Sequence, residues 1–467
     1  MGTLLLYAAV DLGGSSGRVT VGELVDSKIS LTEVHRFKHE PVQTDAGLFW
    51  DWSFIVEQVK TGLAAACQLG KVNSVGVDSW AVDYGVIDQT GKVIGQPFCY
   101  RDSRTDGLMD KLKADLGIDY IYSRTGVQFI FINTMYQLFA EKNSAIYNRA
   151  DKFLMVPDLM NYLLCGSIST EITNASTTQL LNVHTRDWDW QLIDKLGIKR
   201  QIFPAINKPK QQMGVITGHG QIDGIKVISV GSHDTASAVA GTPLSTQKDS
   251  AYISSGTWSL VGLELDKPVT DKTAMDFNIT NEMGVEDRIR FIKNVAGMWL
   301  LEESLDYWAA KGEKYTAAQL AAEAALLPRG AVIDANDRRF EKPGAMPERI
   351  AALCQESNQA VPTTPAEYAR CIFDSLADAY VKVIAQLELA AGRKINSINI
   401  VGGGSANKLL NQLTANATGK TVYAGPVEAT VLGNIITQMQ AEGVIKSLEQ
   451  GREIIKDSFS QEVFKPA

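Results

Sequence analysis

The chain has 467 residues, 45 % of them hydrophobic and 21 % charged. These globular proportions exclude a disordered chain, a collagen-like chain and a small disulfide-stapled one. Lys and Arg number 45 against 53 Asp and Glu, a net charge of −8, and so acidic a surface argues against nucleic acid as a partner.

At roughly 150 residues per domain the length allows two or three domains. The first apolar run, residues 4–10, is far too short to span a bilayer, and no basic residue precedes it. Neither a signal peptide nor a membrane partner is expected. The five cysteines, Cys67, Cys99, Cys165, Cys354 and Cys371, are scattered, odd in number and free of C-x-x-C spacing. That pattern predicts free thiols in the cytoplasm, with no zinc site or disulfide framework. Cys354 and Cys371, on neighbouring predicted helices, are the one pair to watch.

In chain order, residues 4–10 read as a buried strand, Asp11-Leu-Gly-Gly-Ser-Ser-Gly17-Arg18 as a turn, and residues 19–24 as the returning strand of a hairpin. A third strand is predicted over 29–37. Residues 52–69 carry Ile55, Val59, Leu63 and Ala66 at helical spacing, and 72–78 return to strand. The order β-β-β-α-β predicts a mixed sheet covered by helices. Residues 107–190 read as mostly helical and polar. A strand over 226–230 runs into Gly231-Ser-His-Asp-Thr-Ala-Ser237 and a small-residue helix over 235–240, stopped by Gly241 and Pro243. A domain boundary is placed there, dividing the chain into 1–243 and 244–467.

The opening pattern then recurs, with a strand over 250–254, a Ser255-Gly-Thr257 turn and a strand over 258–265. Two such hairpins half a chain apart read as one architecture used twice. A long amphipathic helix follows over 371–391, with Ile372, Leu376, Ala379, Val383 and Leu387 on one face and Gly392 as its stop. The end of the chain reads as a strand over 398–401, a Gly402-Gly-Gly404-Ser405 turn, a helix over 407–417, a strand over 421–423 and a helix over 428–441.

Three Gly-rich turns thus lie at strand ends: 11–18, 254–257 and 402–405. Gly allows backbone N–H groups to converge, and Ser and Thr add donors, as a phosphate chain requires. The third also aims a helix N-terminus at its ligand. None matches a P-loop or a G-x-G-x-x-G fingerprint. Each alone is an ordinary turn; together they suggest a nucleotide held in a cleft between two domains. Asp11, beside the first turn, suits Mg²⁺ bound through water, or else stabilises the turn itself. Asp234 reads either as a helix N-cap or as an accessible acid at a helix start. Asp78, Asp83, Arg101 and Asp102 form a polar series around Trp80. Aromatic faces beside carboxylates suit sugar hydroxyls, although solvated loop charge is the commoner reading. Consecutive Ser232, His233 and Asp234 cannot fold into a hydrolase triad, and no H-E-x-x-H occurs among the five His.

Seven stretches carry a resemblance: Val10-Asp-Leu-Gly-Gly-Ser-Ser-Gly-Arg18, Tyr100-Arg-Asp-Ser-Arg-Thr105, Asn174-Ala-Ser-Thr-Thr-Gln-Leu180, Ser232-His-Asp-Thr-Ala-Ser-Ala-Val239, Ser254-Ser-Gly-Thr-Trp-Ser-Leu260, Val401-Gly-Gly-Gly404 and Gly425-Pro-Val-Glu-Ala429. Over nearly its whole length the chain resembles the FGGY carbohydrate kinases. The resemblance implies two ribonuclease-H/actin-like α/β domains, each a mixed sheet flanked by helices, with an active-site cleft between them. The first would bind the sugar and the second the nucleotide. It implies ATP-dependent phosphorylation, with the His-Asp-Thr-Ala-Ser-Ala and Asn-Ala-Ser-Thr-Thr-Gln-Leu stretches pointing to the C1 hydroxyl of L-rhamnulose.

By that likeness Asp234 is the base facing the sugar hydroxyl, and His233, Thr235, Asn294 and Ala81 line the sugar. Gly14, Ser15, Ser16, Gly17 and Arg18 border the phosphates, Thr257 meets the terminal phosphates, and Gly402, Gly403 and Gly404 border the adenosine. Two positions depart from the pattern. Ala81 stands where such kinases commonly carry Gly, narrowing the sugar pocket. Glu302 stands where Gln is expected near the nucleotide, placing a carboxylate beside phosphates. The implied partners are a small sugar and ATP with Mg²⁺, in a monomer or small homo-oligomer. The alternatives are a kinase of fuculose, xylulose or glycerol, or an actin-like ATPase switch. Trp50, Trp52 and Trp80, near the presumed sugar side, favour a sugar kinase over the switch.

Overall fold

The computed structural model describes residues 5–244, 249–340 and 342–467. Leu4, the first residue of the expected opening strand, lies outside them. The chain forms two compact units. The first comprises Met1–Gly241, Leu265–Phe291 and Ala429–Ser458, and the second Thr242–Glu264, Ile292–Glu428 and Phe459–Ala467.

In the first unit, β1 (Leu6–Leu12) and β2 (Ser16–Val25) form the antiparallel opening hairpin, and β3 (Lys28–Lys38) pairs with the outer edge of β2. Every residue of β1 is buried, because both faces of this central strand are covered, which is why it reads as a continuous apolar run. Helix α1 (Trp52–Leu69) starts where the Asp51 carboxylate accepts the Phe54 N–H at 3.1 Å, and it buries Ile55, Val59, Leu63 and Ala66 as their spacing predicts. Next, β4 (Val72–Ser79) lies parallel to β1 and sets Asp11 opposite Asp78. With β5 (Gln212–Val215) and β6 (Lys226–Ile228) the six-stranded sheet runs β5-β6-β4-β1-β2-β3. The loop after β6 leads into α2 (Asp234–Ala240).

Residues 107–190 depart from the expected polar helical stretch. Helices Leu108–Leu116, Ile118–Thr125, Thr134–Glu141 and Val156–Cys165 are present. Strand Ala150–Met155 interrupts them and pairs antiparallel with Tyr84–Asp88. Residues 170–181 are buried. The side chains of Thr173, Asn174, Ser176, Thr177, Thr178 and Gln179 bond inside the protein, so local polarity misjudges their place.

The second unit opens with the recurrent hairpin, β7 (Ser250–Ser255) antiparallel to β8 (Trp258–Leu265). Its sheet runs through β9 (Ile289–Ala296, of which the stretch from Ile292 belongs to this unit), β8, β7, β10 (Ser397–Val401), β11 (Thr421–Ala424) and β12 (Glu462–Phe464). β7, β10 and β11 are mutually parallel neighbours and β12 is antiparallel. The first unit has the same plan, with β1, β4 and β6 parallel and β5 antiparallel at the edge.

The long helix α3 (Pro365–Ala391) begins six residues before its predicted start. Thr364 and Glu367 form a capping box, with Pro365 in the first turn. Gly392 ends it in the left-handed region at φ 63°. Tyr380 is buried on this helix, whereas the expected Ala379 is only half-buried. Helix α4 (Lys408–Thr418) follows the Gly triplet, capped by Asn407. The chain then returns to the first unit as α5 (Ala429–Ala441). There Gln438 Nε2 donates to Ala8 O at 2.9 Å and Asn434 Nδ2 to Gly76 O at 3.2 Å.

All five cysteines are free. Cys354 and Cys371 are buried and share a hydrogen bond, which raises the Cys371 pKa. No helix among the described residues is long and apolar enough to cross a membrane.

Candidate active site

In the first unit, the carboxyl ends of β1 and β4 and the loop before α2 converge. Trp80 N–H donates to Leu12 O at 2.8 Å, and Ser79 N–H to Ser232 O at 2.9 Å. Asp11 ends β1. The first Gly-rich turn is closed by Gly13 N–H donating to Ser16 O at 2.9 Å, not by Asp11. The Asp11 carboxylate instead pairs with Arg18, whose Nε and Nη2 stand 2.9 and 2.7 Å away. Gly14 and Ser15 are exposed at the turn's tip, with Ser16 half-buried beside them. None of Gly13, Gly14 and Gly17 has a positive φ. Gly17 is needed for space, since a Cβ there would overlap the Phe37 ring. His39 braces the turn, its Nε2 lying 2.9 Å from Gly13 O while its ring packs on Trp50 and Trp80.

Asp78, opposite Asp11, is fully buried. Its Oδ2 accepts from Asn434 Nδ2 at 2.6 Å, and its Oδ1 has no hydrogen-bond partner. Burial, then the charge of Asp11, pushes its pKa well above the usual carboxylate range. Carboxylate oxygens suit a hard divalent cation. Among the described residues no group of three or more His, Cys, Asp or Glu is placed to ligate a metal directly. An ion held through water at Asp11, near the unpaired Asp78 oxygen, fits this donor set.

Asp234 is the first residue of α2, and the N-cap position belongs to His233. The N-cap reading of Asp234 is therefore corrected. Its Oδ1 accepts from Thr235 N–H at 2.5 Å and Thr235 Oγ1 at 3.2 Å, and lies 3.3 Å from His233 Nε2. The side chain keeps 30 % of its surface open, so it is anchored yet reachable. Burial raises its pKa, with Asp11 adding to the rise and His233 opposing it. A buried carboxylate unmarked by any sequence motif, Glu171, clamps the loop. Its Oε2 accepts from Ser232 N–H at 3.0 Å and Ser232 Oγ at 2.7 Å, while its Oε1 accepts from Thr173 N–H at 3.0 Å.

The polar series around Trp80 is not solvated loop charge. Asp78 and Asp83 are fully buried and Asp102 is 7 % exposed. Asp83 Oδ2 accepts from Trp50 Nε1 at 2.6 Å, Trp80 Nε1 at 3.0 Å and Tyr100 N–H at 3.1 Å. Asp102 Oδ2 accepts from Leu48 N–H at 2.7 Å, and Arg101 lies over the Tyr100 ring. These groups tie together an aromatic wall, with Trp50 and Trp80 centroids 4.6 Å apart. Ala81 sits half-buried at its end, and Trp52 packs into the core.

In the second unit, the Ser255-Gly-Thr257 turn and the Gly triplet are neighbours. Gly402 stands at φ 81°, where a Cβ would lie 2.8 Å from Ser255 O, and a Cβ on Gly404 would overlap Ser255 Oγ. Gly403 is open. Thr257 Oγ1 donates to Glu302 Oε2 at 3.3 Å, so Glu302 occupies the hydroxyl nominated for phosphate contact. Asn294 lies half-buried on β9.

Known proteins match along the same lines. The model of the FGGY family of carbohydrate kinases, N-terminal domain, matches residues 6–241, and that of the C-terminal domain residues 251–442. A rhamnulokinase of Mannheimia succiniciproducens is 43 % identical over 99 % of this chain and 95 % of its own length. One of Bacillus subtilis is 41 % identical over 99 % and 96 %. Among solved structures, a gluconate kinase of Lactobacillus acidophilus superposes with a TM-score of 0.79 at 18 % identity, covering 100 % of this chain and 94 % of that one. A xylulose kinase of the same organism gives 0.79 at 19 %, over 99 % and 94 %. The two structural matches share the two-domain kinase fold.

Proposed function

The chain belongs to the FGGY family of carbohydrate kinases, and we propose that it is a rhamnulokinase that phosphorylates the C1 hydroxyl of L-rhamnulose, giving L-rhamnulose 1-phosphate and ADP in rhamnose catabolism. A carbohydrate kinase of this family takes ATP with a divalent metal ion, here Mg²⁺. The choice of sugar is supported by full-length likeness to rhamnulokinases at 41–43 % identity. The two family models, ending at 241 and resuming at 251, support a meeting of the sequence halves near residue 243.

The chemistry rests on one observation. Asp234 is a half-open carboxylate at a helix start, with its pKa raised and an imidazole as neighbour. Phosphoryl transfer asks a protein for alignment, charge stabilisation and a base for the attacking hydroxyl. Asp234 would take the C1 hydroxyl proton as the sugar oxygen bonds to the γ-phosphorus and the bond to the ADP oxygen breaks. His233, Thr235, Ala81 and Asn294 would orient the sugar. Gly14, Ser15, Ser16, Gly17 and Arg18 would face the phosphates, with Thr257, Glu302 and Gly402 to Gly404 on the nucleotide. Asp11 would hold Mg²⁺ through water, and the bound ion supplies charge neutralisation on the phosphates.

The test is ADP release from Mg-ATP with L-rhamnulose, L-fuculose, D-xylulose, L-ribulose, glycerol and no sugar. The highest kcat/KM is expected with L-rhamnulose. A preference for another sugar would reassign the substrate and point to Ala81. Hydrolysis equal to the blank with every sugar would favour an ATPase switch.

A further inference from the structure

Beside His233 lies a buried ion pair that the transfer chemistry does not call on. Arg290 is 0 % and Glu282 5 % exposed. Desolvating two such ions is costly, and an apolar pair of the same volume is often as stable, so stability alone is a weak reason for them. Their contacts suggest another. Arg290 Nε donates to Met283 O at 3.0 Å, and Nη2 stands 3.5 Å from Thr173 O, 3.0 Å from Glu282 Oε2 and 2.9 Å from His233 Nδ1. Glu282 Oε2 also lies 3.2 Å from His233 Nδ1; neither of these Oε2 contacts has hydrogen-bond alignment, so Glu282 holds Arg290 by charge.

A guanidinium N–H only donates. The 2.9 Å contact therefore requires Nδ1 of His233 to accept, and a neutral imidazole then carries its proton on Nε2. That nitrogen lies 3.3 Å from Asp234 Oδ1. We infer that Arg290, anchored by Glu282, fixes His233 as the Nε2–H tautomer, so that the ring offers a donor beside the Asp234 carboxylate. Arg290 and Glu282 are positioning residues, acting through His233. Glu282 is suited to anchoring: burial would raise its pKa, but the Arg290 charge counters burial, and its carboxyl stays below the usual value. The opposite tautomer would set the Nδ1 proton against the Arg290 N–H groups.

The consequence for catalysis rests on the kinase reading above; the tautomer does not. Two-bond ¹⁵N–¹H correlation spectra of the full-length protein with ¹⁵N-labelled histidine, at neutral pH and without substrate, read it directly. Comparison with His233→Gln assigns the signal. The expected result is a protonated Nε2 and an unprotonated Nδ1. Protonated Nδ1, or a doubly protonated ring, overturns the inference whatever sugar the enzyme takes. Arg290→Met should shift the proton toward Nδ1, facing Glu282, and raise the KM for sugar by about tenfold, the worth of one hydrogen bond to a charged group. It should leave the KM for ATP unchanged. Arg290→Lys, which keeps a donor, should recover part of the wild-type tautomer. An Arg290→Met spectrum identical to wild type would also overturn the inference. A sugar-inactive wild type with the expected spectrum would overturn the functional reading alone.

Discussion

Asp234 can be tested as a base by removing its charge while keeping its shape. Asp234→Asn retains an oxygen for the Thr235 N–H and Oγ1, so α2 should start as before. General-base assistance is typically ~10²–10⁴-fold, and kcat should fall by about that much while ATP affinity, measured by titration, stays within about twofold. Wild-type turnover would exclude Asp234 as the base. The wild-type pH profile carries a second signature. Burial first, then the charge of Asp11, raise the Asp234 pKa above the ordinary carboxylate range. The base works ionised, so kcat/KM should fall with falling pH, and the fall should set in above the range of an exposed aspartate. An acid limb at the ordinary carboxylate pKa would contradict the assignment. Asp11 and Asp234 were legible because each sits beside a glycine-bearing turn at a strand end. The pairing of Asp11 with Asp78 was not, because it depends on the parallel register of two strands more than sixty residues apart in sequence. Glu171, Glu282 and Arg290 carry no motif, and only tertiary contact reveals them.

Among the elements, α2 was legible as a small-residue helix, but the reason for its small residues lies elsewhere in the chain. It crosses α5 backbone to backbone. A Cβ on Gly433 would overlap Ser237 O, and one on Gly241 would overlap Ala429 O. Since α2 begins with Asp234, this crossing also places the base. Gly433→Ala should push the helices apart, costing about 1–3 kcal/mol or more, because overpacking here meets rigid backbone. Thermal unfolding should show a lower Tm, and kcat should fall in the fraction that stays folded. An alanine variant with unchanged Tm and kcat would mean that the crossing is loose. The start of α3 was missed for a different reason. Apolar periodicity weakens in its first turn, and the boundary signal is the Thr364–Glu367 capping box, which is polar. Strand Ala150–Met155 was missed because short apolar runs do not by themselves separate strand from helix.

For the whole molecule, the duplicated hairpin was a true sign of architecture. β1–β2 and β7–β8 each open a sheet in which two parallel strands and an antiparallel edge strand follow on the same side. Local pattern cannot say to which sheet a later helix returns. The boundary near 243 therefore divides sequence halves, whereas the first compact unit also recruits Leu265–Phe291 and Ala429–Ser458. These segments complete its interior. Gln438 and Asn434 satisfy Ala8 O, Gly76 O and one oxygen of Asp78, and Arg452 donates to Val239 O at 2.8 Å and Ala240 O at 3.2 Å. A fragment of residues 1–243 would leave those groups without partners and expose the face of β1 and β4 that α5 covers. Each buried group left unpaired costs about 1–3 kcal/mol, and several together exceed much of the 5–15 kcal/mol that holds a typical protein folded. The fragment alone should show no cooperative thermal transition, and co-expression with residues 244–467 should restore one. A cooperative transition in the isolated fragment would mean that the returning segments decorate a domain that is already complete.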